Sequence, residues 1–154
     1  MGMFDSFDIN ASGLTAQRFR MDVISQNIAN SNTTRTADGT PYVRKIVTFS
    51  EKGNSLSDMT GEDFSSTLQK ASKKFTGSGV IVDGVSNDTE TAMKKVYEPS
   101  NPDANQDGYV TYPNVDTVTE MTDLIDASRS YEANATAFDA SKSMALKGLN
   151  MGQS

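Results

Sequence analysis

The 154-residue chain carries 14 Lys and Arg against 20 Asp and Glu, a formal net charge of −6, and neither Cys nor His. Zinc sites of the usual nitrogen and sulfur kind, thiol nucleophiles and His-centred triads are therefore excluded. The acidic balance argues against a phosphate-binding surface, and so against nucleic acid as a partner.

The first residues, MGMFDSFDIN, have neither a basic n-region nor an apolar h-region, so a cleavable secretory signal is not expected. No apolar run approaches bilayer-spanning length, so direct membrane insertion is not expected either. Met1-Gly2 followed by Ser6 fits the N-myristoylation pattern, but a pattern with so few fixed positions matches often by chance.

In chain order, Phe7, Leu14, Met21 and Ile28 fall seven residues apart, and Phe4, Ala11, Arg18 and Ser25 form a second line. That spacing predicts a helix from about Phe4 to Ala29, with Gly13 as a weak spot inside it. Met3, Phe19, Val23 and Ile24 widen its apolar surface. The run from Asn27 to Thr34 offers Asn, Ser and Thr side chains that compete with helical hydrogen bonds, which reads as a helix exit.

Tyr42 to Ser50 has the β-branched and aromatic bias of a strand, after a turn from Thr36 to Pro41. Glu51 to Ser78 is polar, and is expected to be a loop or to hold a short helix near Asp63–Lys73. Gly79–Val85 is a strand between glycines, followed by a turn at Ser86–Asp88. Further strands are expected at Met93–Tyr97 and Gly108–Tyr112.

From Val115 to about Leu149 the helical rhythm returns. Met121, Leu124, Ser128, Tyr131, Ala135, Phe138, Lys142, Ala145 and Leu149 alternate in steps of three and four, the seam of a helix lying against another helix. Such a helix is on the order of 50 Å long. Asn114 is the expected N-cap, Asp116 and Glu120 suit the positive end of the dipole, and Gly148 can close the far end.

The fold class is thus α+β: long terminal helices paired in a coiled-coil-like manner around a small β-rich middle domain. The expected division is 1–34, 35–112 with a polar loop at about 51–78, and 113–154. Two helices burying one narrow seam gain little against the entropy of ordering about sixty residues. The termini are therefore expected to fray in an isolated subunit and to order when neighbours cover their other faces.

Two chemical alternatives compete with a structural role. Asp103-Ala104-Asn105-Gln106-Asp107-Gly108 matches the first half of an EF-hand calcium loop, which would make the chain a free calcium-binding or adaptor module. Its second half fails, because position 12 is Asn114 and Pro99 and Pro102 forbid an entering helix, so a tight Asp-Gly turn is the better reading. Asp123, Asp126, Glu132 and Asp139 could supply carboxylate pairs, but such charges on a helix of an acidic protein serve solubility more often. No enzyme activity, cofactor or metal is expected.

Leu14-Thr15-Ala16-Gln17-Arg18 followed by Ser25-Gln26-Asn27-Ile28-Ala29-Asn30-Ser31-Asn32-Thr33 closely resembles the N-terminal signature of bacterial flagellar axial proteins, the rod, hook and hook-associated subunits. Thr34-Arg35-Thr36 with Pro41-Tyr42, Pro102-Asp103-Ala104 and Gly108 to Val115 resemble the proximal-rod members of that family. Glu120–Ile125 with Ala127–Asn134 matches the family's C-terminal helix. The likeness spans nearly the whole chain and is weakest from Glu51 to Phe75. Ala37 stands where the family usually shows Pro, and Asn101 where it usually shows His; neither is an apolar seam position.

The resemblance implies a structural subunit of the basal-body rod, which crosses the periplasm and transmits torque. It implies export through the flagellar type III apparatus without a cleavable signal. Implied partners are copies of itself, other rod subunits and the basal-body adaptor at the membrane ring. The expected assembly interface then comprises the seam residues Phe7, Leu14, Met21, Ile28, Met121, Leu124, Tyr131, Phe138 and Leu149. Asn27, Asn30 and Asn134 join them as inter-subunit hydrogen-bonding candidates, because a polymer buries helix ends that a monomer leaves wet.

Overall fold

The computed structural model describes residues 5–52 and 79–152; the short helix expected near Asp63–Lys73 lies outside them. The elements are α1 (Asp5–Ala29), β1 (Lys45–Glu51), β2 (Val80–Asn87), β3 (Lys94–Tyr97), β4 (Tyr109–Tyr112) and α2 (Thr117–Met151). The protein is α+β, with two long terminal helices packed together and short antiparallel strands between them in sequence.

The described residues divide into two compact units, one drawn from 5–17, 49–52, 79–83 and 130–152, the other of 18–48 and 84–129. In the first, the Phe7 and Phe138 rings meet edge to face at 5.2 Å, and a Cβ on Gly13 would stand 3.1 Å from the Asn134 side chain. In the second, Arg20 pairs with Asp123 and Asn27 with Glu120. Within each unit residue numbers fall along α2 as they rise along α1, so the helices run antiparallel. Gly13, expected to weaken α1, lies against the Asn134 side chain.

In the first unit Ser12 Oγ donates to Ile9 O (2.7 Å) and accepts from Val80 N (3.0 Å), tying the start of β2 to α1. Gly79 beside it has φ +88°, and a Cβ there would fall 2.3 Å from Ser12 Oγ. Only glycine satisfies both the left-handed backbone and the close approach.

β1 and β2 form one two-stranded sheet and β3 and β4 another. Lys52 N bonds Gly79 O and Asp88 N bonds Arg44 O, which makes the first pair antiparallel. In the second, Lys94 stands opposite Tyr112 and Val96 opposite Val110. Val110, Val23, Ile24, Tyr42 and Ala127 are buried in the second unit and Ala16 in the first.

Two expected helix ends differ. Asp116, not Asn114, caps α2: its Oδ1 accepts from Val118 N at 2.9 Å. Asn114 lies buried two residues earlier with other bonds to make. Gly148 does not end α2, which runs on to Met151 before Gly152 N bonds back to Gly148 O and Leu149 O. Glycine inside a helix costs about 1 kcal/mol but does not by itself break it.

Candidate assembly site

Among the described residues, the densest polar arrangement lies in the second unit, where α1 ends and α2 begins. Asn27 is buried and uses both ends of its amide: Nδ2 donates to Lys45 O (2.9 Å) and Glu120 Oε2 (3.0 Å), and Oδ1 accepts from Lys45 N (3.0 Å) and the Tyr42 hydroxyl (2.9 Å). Two donors and two lone pairs are the full capacity of an asparagine side chain. Asn27 therefore spends its side-chain bonding capacity within its own subunit.

Glu120, in the first turn of α2, is 1 % exposed and accepts from Arg44 Nε at 2.6 Å as well as from Asn27. A carboxylate is held there because a charged donor and a neutral donor both reach it. The other Arg44 nitrogens lie 3.6 Å from Asp88 and 3.6 Å from Asp123, and Asp123 also faces Arg20 at 3.8 Å. Burial would lower the Arg44 pKa, but the hydrogen bond and charge of Glu120, then the charges of Asp88 and Asp123, outweigh it and raise it. Burial, then the charge of Glu120, pushes the Tyr42 phenol up.

Asp88 and Asn114 complete the clamp. Asp88 accepts from the Glu90 and Thr91 amides and from the Thr91 hydroxyl (2.8 Å), and the Thr91 bonds chiefly hold its carboxyl below the usual carboxylate range. Asn114 accepts from Arg44 N and donates to Asp88 O and Thr91 O. One connected network thus joins the end of α1, the segment entering β1, the exit of β2 and the start of α2. Its groups are consumed by holding the chain together.

The outward side of α2 is different. Val118, Met121 and Ile125, at steps of three and four, are 74 %, 55 % and 54 % exposed. Further along, Met144, Leu146, Leu149 and Met151 are exposed as well. A rigidly held helix with apolar side chains turned outward is built to be covered.

Family models and relatives agree on what kind of protein carries this arrangement. A model described as "Flagella basal body rod protein" matches residues 7–35, and one described as "Flagellar basal body rod FlgEFG protein C-terminal" matches 106–151. The flagellar basal-body rod protein FlgC of Bacillus subtilis is 43 % identical, the match covering 99 % of this chain and 100 % of that protein. That of Borreliella burgdorferi is 43 % identical over 94 % of this chain and 93 % of its own, and that of Salmonella typhimurium 39 % identical over 99 % and 100 %. The chain belongs to the FlgC family of flagellar basal-body rod proteins.

The two segments that match the rod models carry nearly all of α1 and the whole of β4 and α2, and with them every residue expected at the interface of this rod subunit. Phe7 and Phe138 meet each other inside the first unit. Leu14, Met21 and Ile28 are half-buried on α1, as is Leu124 on α2, while Met121, Tyr131 and Leu149 are exposed. Asn30 closes the exit of α1, donating to Gln26 O and accepting from the Thr33 hydroxyl. Asn134 donates to Ser130 O.

Sequence reasoning did not find the clamp. Glu120 read as a dipole partner, Asn114 as a cap, and Arg44 and Tyr42 as strand residues. One signal was available: Glu120, Ala127, Asn134 and Ser141 fall in seven-residue steps alongside Leu124, Phe138 and Ala145, and each is buried or half-buried. The inward face of α2 follows that line, one residue before the expected Met121, Ser128, Ala135 and Lys142, of which Met121 and Lys142 are exposed.

Proposed function

We propose that this rod subunit polymerises through the outward faces of α1 and α2 and transmits torque across the periplasm from the motor towards hook and filament. Its partners in this reading are copies of itself and other rod subunits, the basal-body adaptor at the membrane ring and, during delivery, the flagellar type III export apparatus. The observation that carries the reading is the exposed Val118–Met121–Ile125 face on a helix whose opposite side is fixed by the Glu120–Arg44–Asn27 clamp. Clamping resists rotation of the helix about its own axis, so load applied to the outer side chains passes into the strands through Arg44 and Asn27.

The test is Met121→Asp with Ile125→Asp. Both side chains point to solvent in the single subunit, so helix content by circular dichroism should be unchanged. Swimming should be lost, and purified basal bodies should lack the chain and everything distal to it. Normal swimming by this variant refutes the reading.

A further inference from the structure

Two seven-residue lines compete for the place beside Leu124, Phe138 and Ala145 on the inward side of α2. One is Glu120, Ala127, Asn134 and Ser141, which is turned in; the other, one residue later, is Met121, Ser128, Ala135 and Lys142. Successive residues of a helix stand about 100° apart, and the Leu124 line falls between these two. A roll of α2 by roughly half that angle would therefore exchange them while Leu124 stayed inward. In the second unit size does not decide between the settings: Ala127 and Ser128 are both small, and Glu and Met side chains are of similar length.

Apolar burial alone favours the other setting. The roll would cover Met121 and draw in Ile125, which stand 55 % and 54 % exposed, and it would return a carboxylate to water. What opposes it is polar. Glu120 takes hydrogens from Arg44 Nε at 2.6 Å and Asn27 Nδ2 at 3.0 Å. Rolled outward, it would strand a donor of Asn27, itself 1 % exposed, and leave Arg44 with carboxylates no nearer than 3.6 Å. An unpaired buried polar group is costly, and a single buried polar position can fix the register of helices that would otherwise pack in two ways.

We infer that Glu120 is the register residue of α2: it selects, against the apolar pattern of the helix, the rotational setting that leaves Val118, Met121 and Ile125 outward. Replacing both charges of the Glu120–Arg44 pair by apolar groups should then give a chain that still folds but turns Met121 in. The inference rests on the rod-subunit reading only for the use made of the outward face; the setting itself belongs to the single chain.

The chain has no Cys, so Ile125→Cys or Ala127→Cys introduces its sole thiol. Alkylation rates are measured on the purified full chain, with and without Glu120→Ala plus Arg44→Met, and a cooperative urea transition confirms folding. With the clamp intact the thiol of Ile125→Cys should react faster than that of Ala127→Cys, since the two positions are 54 % and 1 % exposed. Without the clamp Met121 fills the space left at position 120, and the ratio of the two rates should fall at least roughly tenfold. Glu120→Met plus Arg44→Met keeps that space packed and decides the matter if the alanine form does not fold; its ratio should fall at least roughly threefold, because positions 120 and 121 then match. A ratio within about twofold of the original in a folded variant, or failure of both variants to fold, would overturn the proposal. A fallen ratio together with normal swimming by cells carrying the same clamp variant would uphold it and refute instead the use of this face in the rod.

Discussion

Removing the Glu120 carboxylate should destabilise the second unit strongly. Its two oxygens accept from Arg44 Nε at 2.6 Å and Asn27 Nδ2 at 3.0 Å, in a side chain 1 % exposed. Deleting one member of a buried ion pair costs about 3–5 kcal/mol, because the other charge stays behind without its partner. Here Arg44 is a quarter exposed and keeps Asp88 and Asp123 at 3.6 Å, so the lower end applies. Glu120→Ala should therefore destabilise by about 3 kcal/mol. Glu120→Gln should lose about 2 kcal/mol, since its amide turns a donor towards one of two donors. For a chain of this size the alanine variant should melt roughly 6–12 °C lower. Urea titration followed by circular dichroism reads the effect, and a double-mutant cycle with Arg44→Met should show a coupling of at least about 1 kcal/mol. A loss below about 0.5 kcal/mol for both Glu120 variants, or strict additivity with Arg44→Met, would refute the clamp.

Three further outcomes follow from the same geometry. Asn27→Ala strands the Lys45 amide and carbonyl and should cost about 2–4 kcal/mol in urea titrations; Asn27→Asp should be no milder, because a carboxylate cannot donate to Lys45 O and lies beside Glu120. Gly13→Val should destabilise by about 1–3 kcal/mol in thermal melts, because its Cβ meets the Asn134 side chain at 3.1 Å; adding Asn134→Ala should recover part of the loss. Asp88 is held below its ordinary 3.8 by Thr91, so its contribution is present above that value and drains away as pH falls through the lower folded value. The urea midpoint should thus drop on acidification below about pH 4, and Asp88→Asn should flatten that slope.

The helices and strands were legible because they rest on local signals. The seven-residue spacing from Phe7 to Ile28 marks α1, and the β-branched run around Ile46–Thr48 marks β1. One line of the α2 seam, with Leu124, Phe138 and Ala145, was legible; the buried line through Glu120 and Ala127 was not, because apolarity alone was used to assign it. Met121 is apolar and faces out, while Glu120 is charged and faces in, and only the arrival of Arg44 and Asn27 from distant segments reverses that order. Asn114 was misplaced for the same reason: a cap is a local bond, and its partners Arg44 and Thr91 are 70 and 23 residues away. Placing Phe7 and Phe138 on their seams needed no such information, since both sit on simple apolar stripes.

The placement of polar and apolar groups has a consequence for how the rod holds together. The clamp's hydrogen bonds are made inside one subunit, while apolar side chains on α2 face out, so in the proposed assembly the helix faces would contribute mainly by hydrophobic burial. Fully covering a Val, Ile or Met yields about 1.5–3 kcal/mol, and Val118, Met121 and Ile125 are already partly covered. Together they offer about 3–5 kcal/mol per contact. Association costs about 4–15 kcal/mol in lost translational and rotational freedom. One such contact cannot hold a pair, but a lattice giving each subunit several contacts can. The purified chain should therefore sediment as a monomer at micromolar concentration and join only a preformed end, where it meets several neighbours at once. A stable dimer under those conditions, kept by Met121→Asp with Ile125→Asp, would show that some other surface drives association.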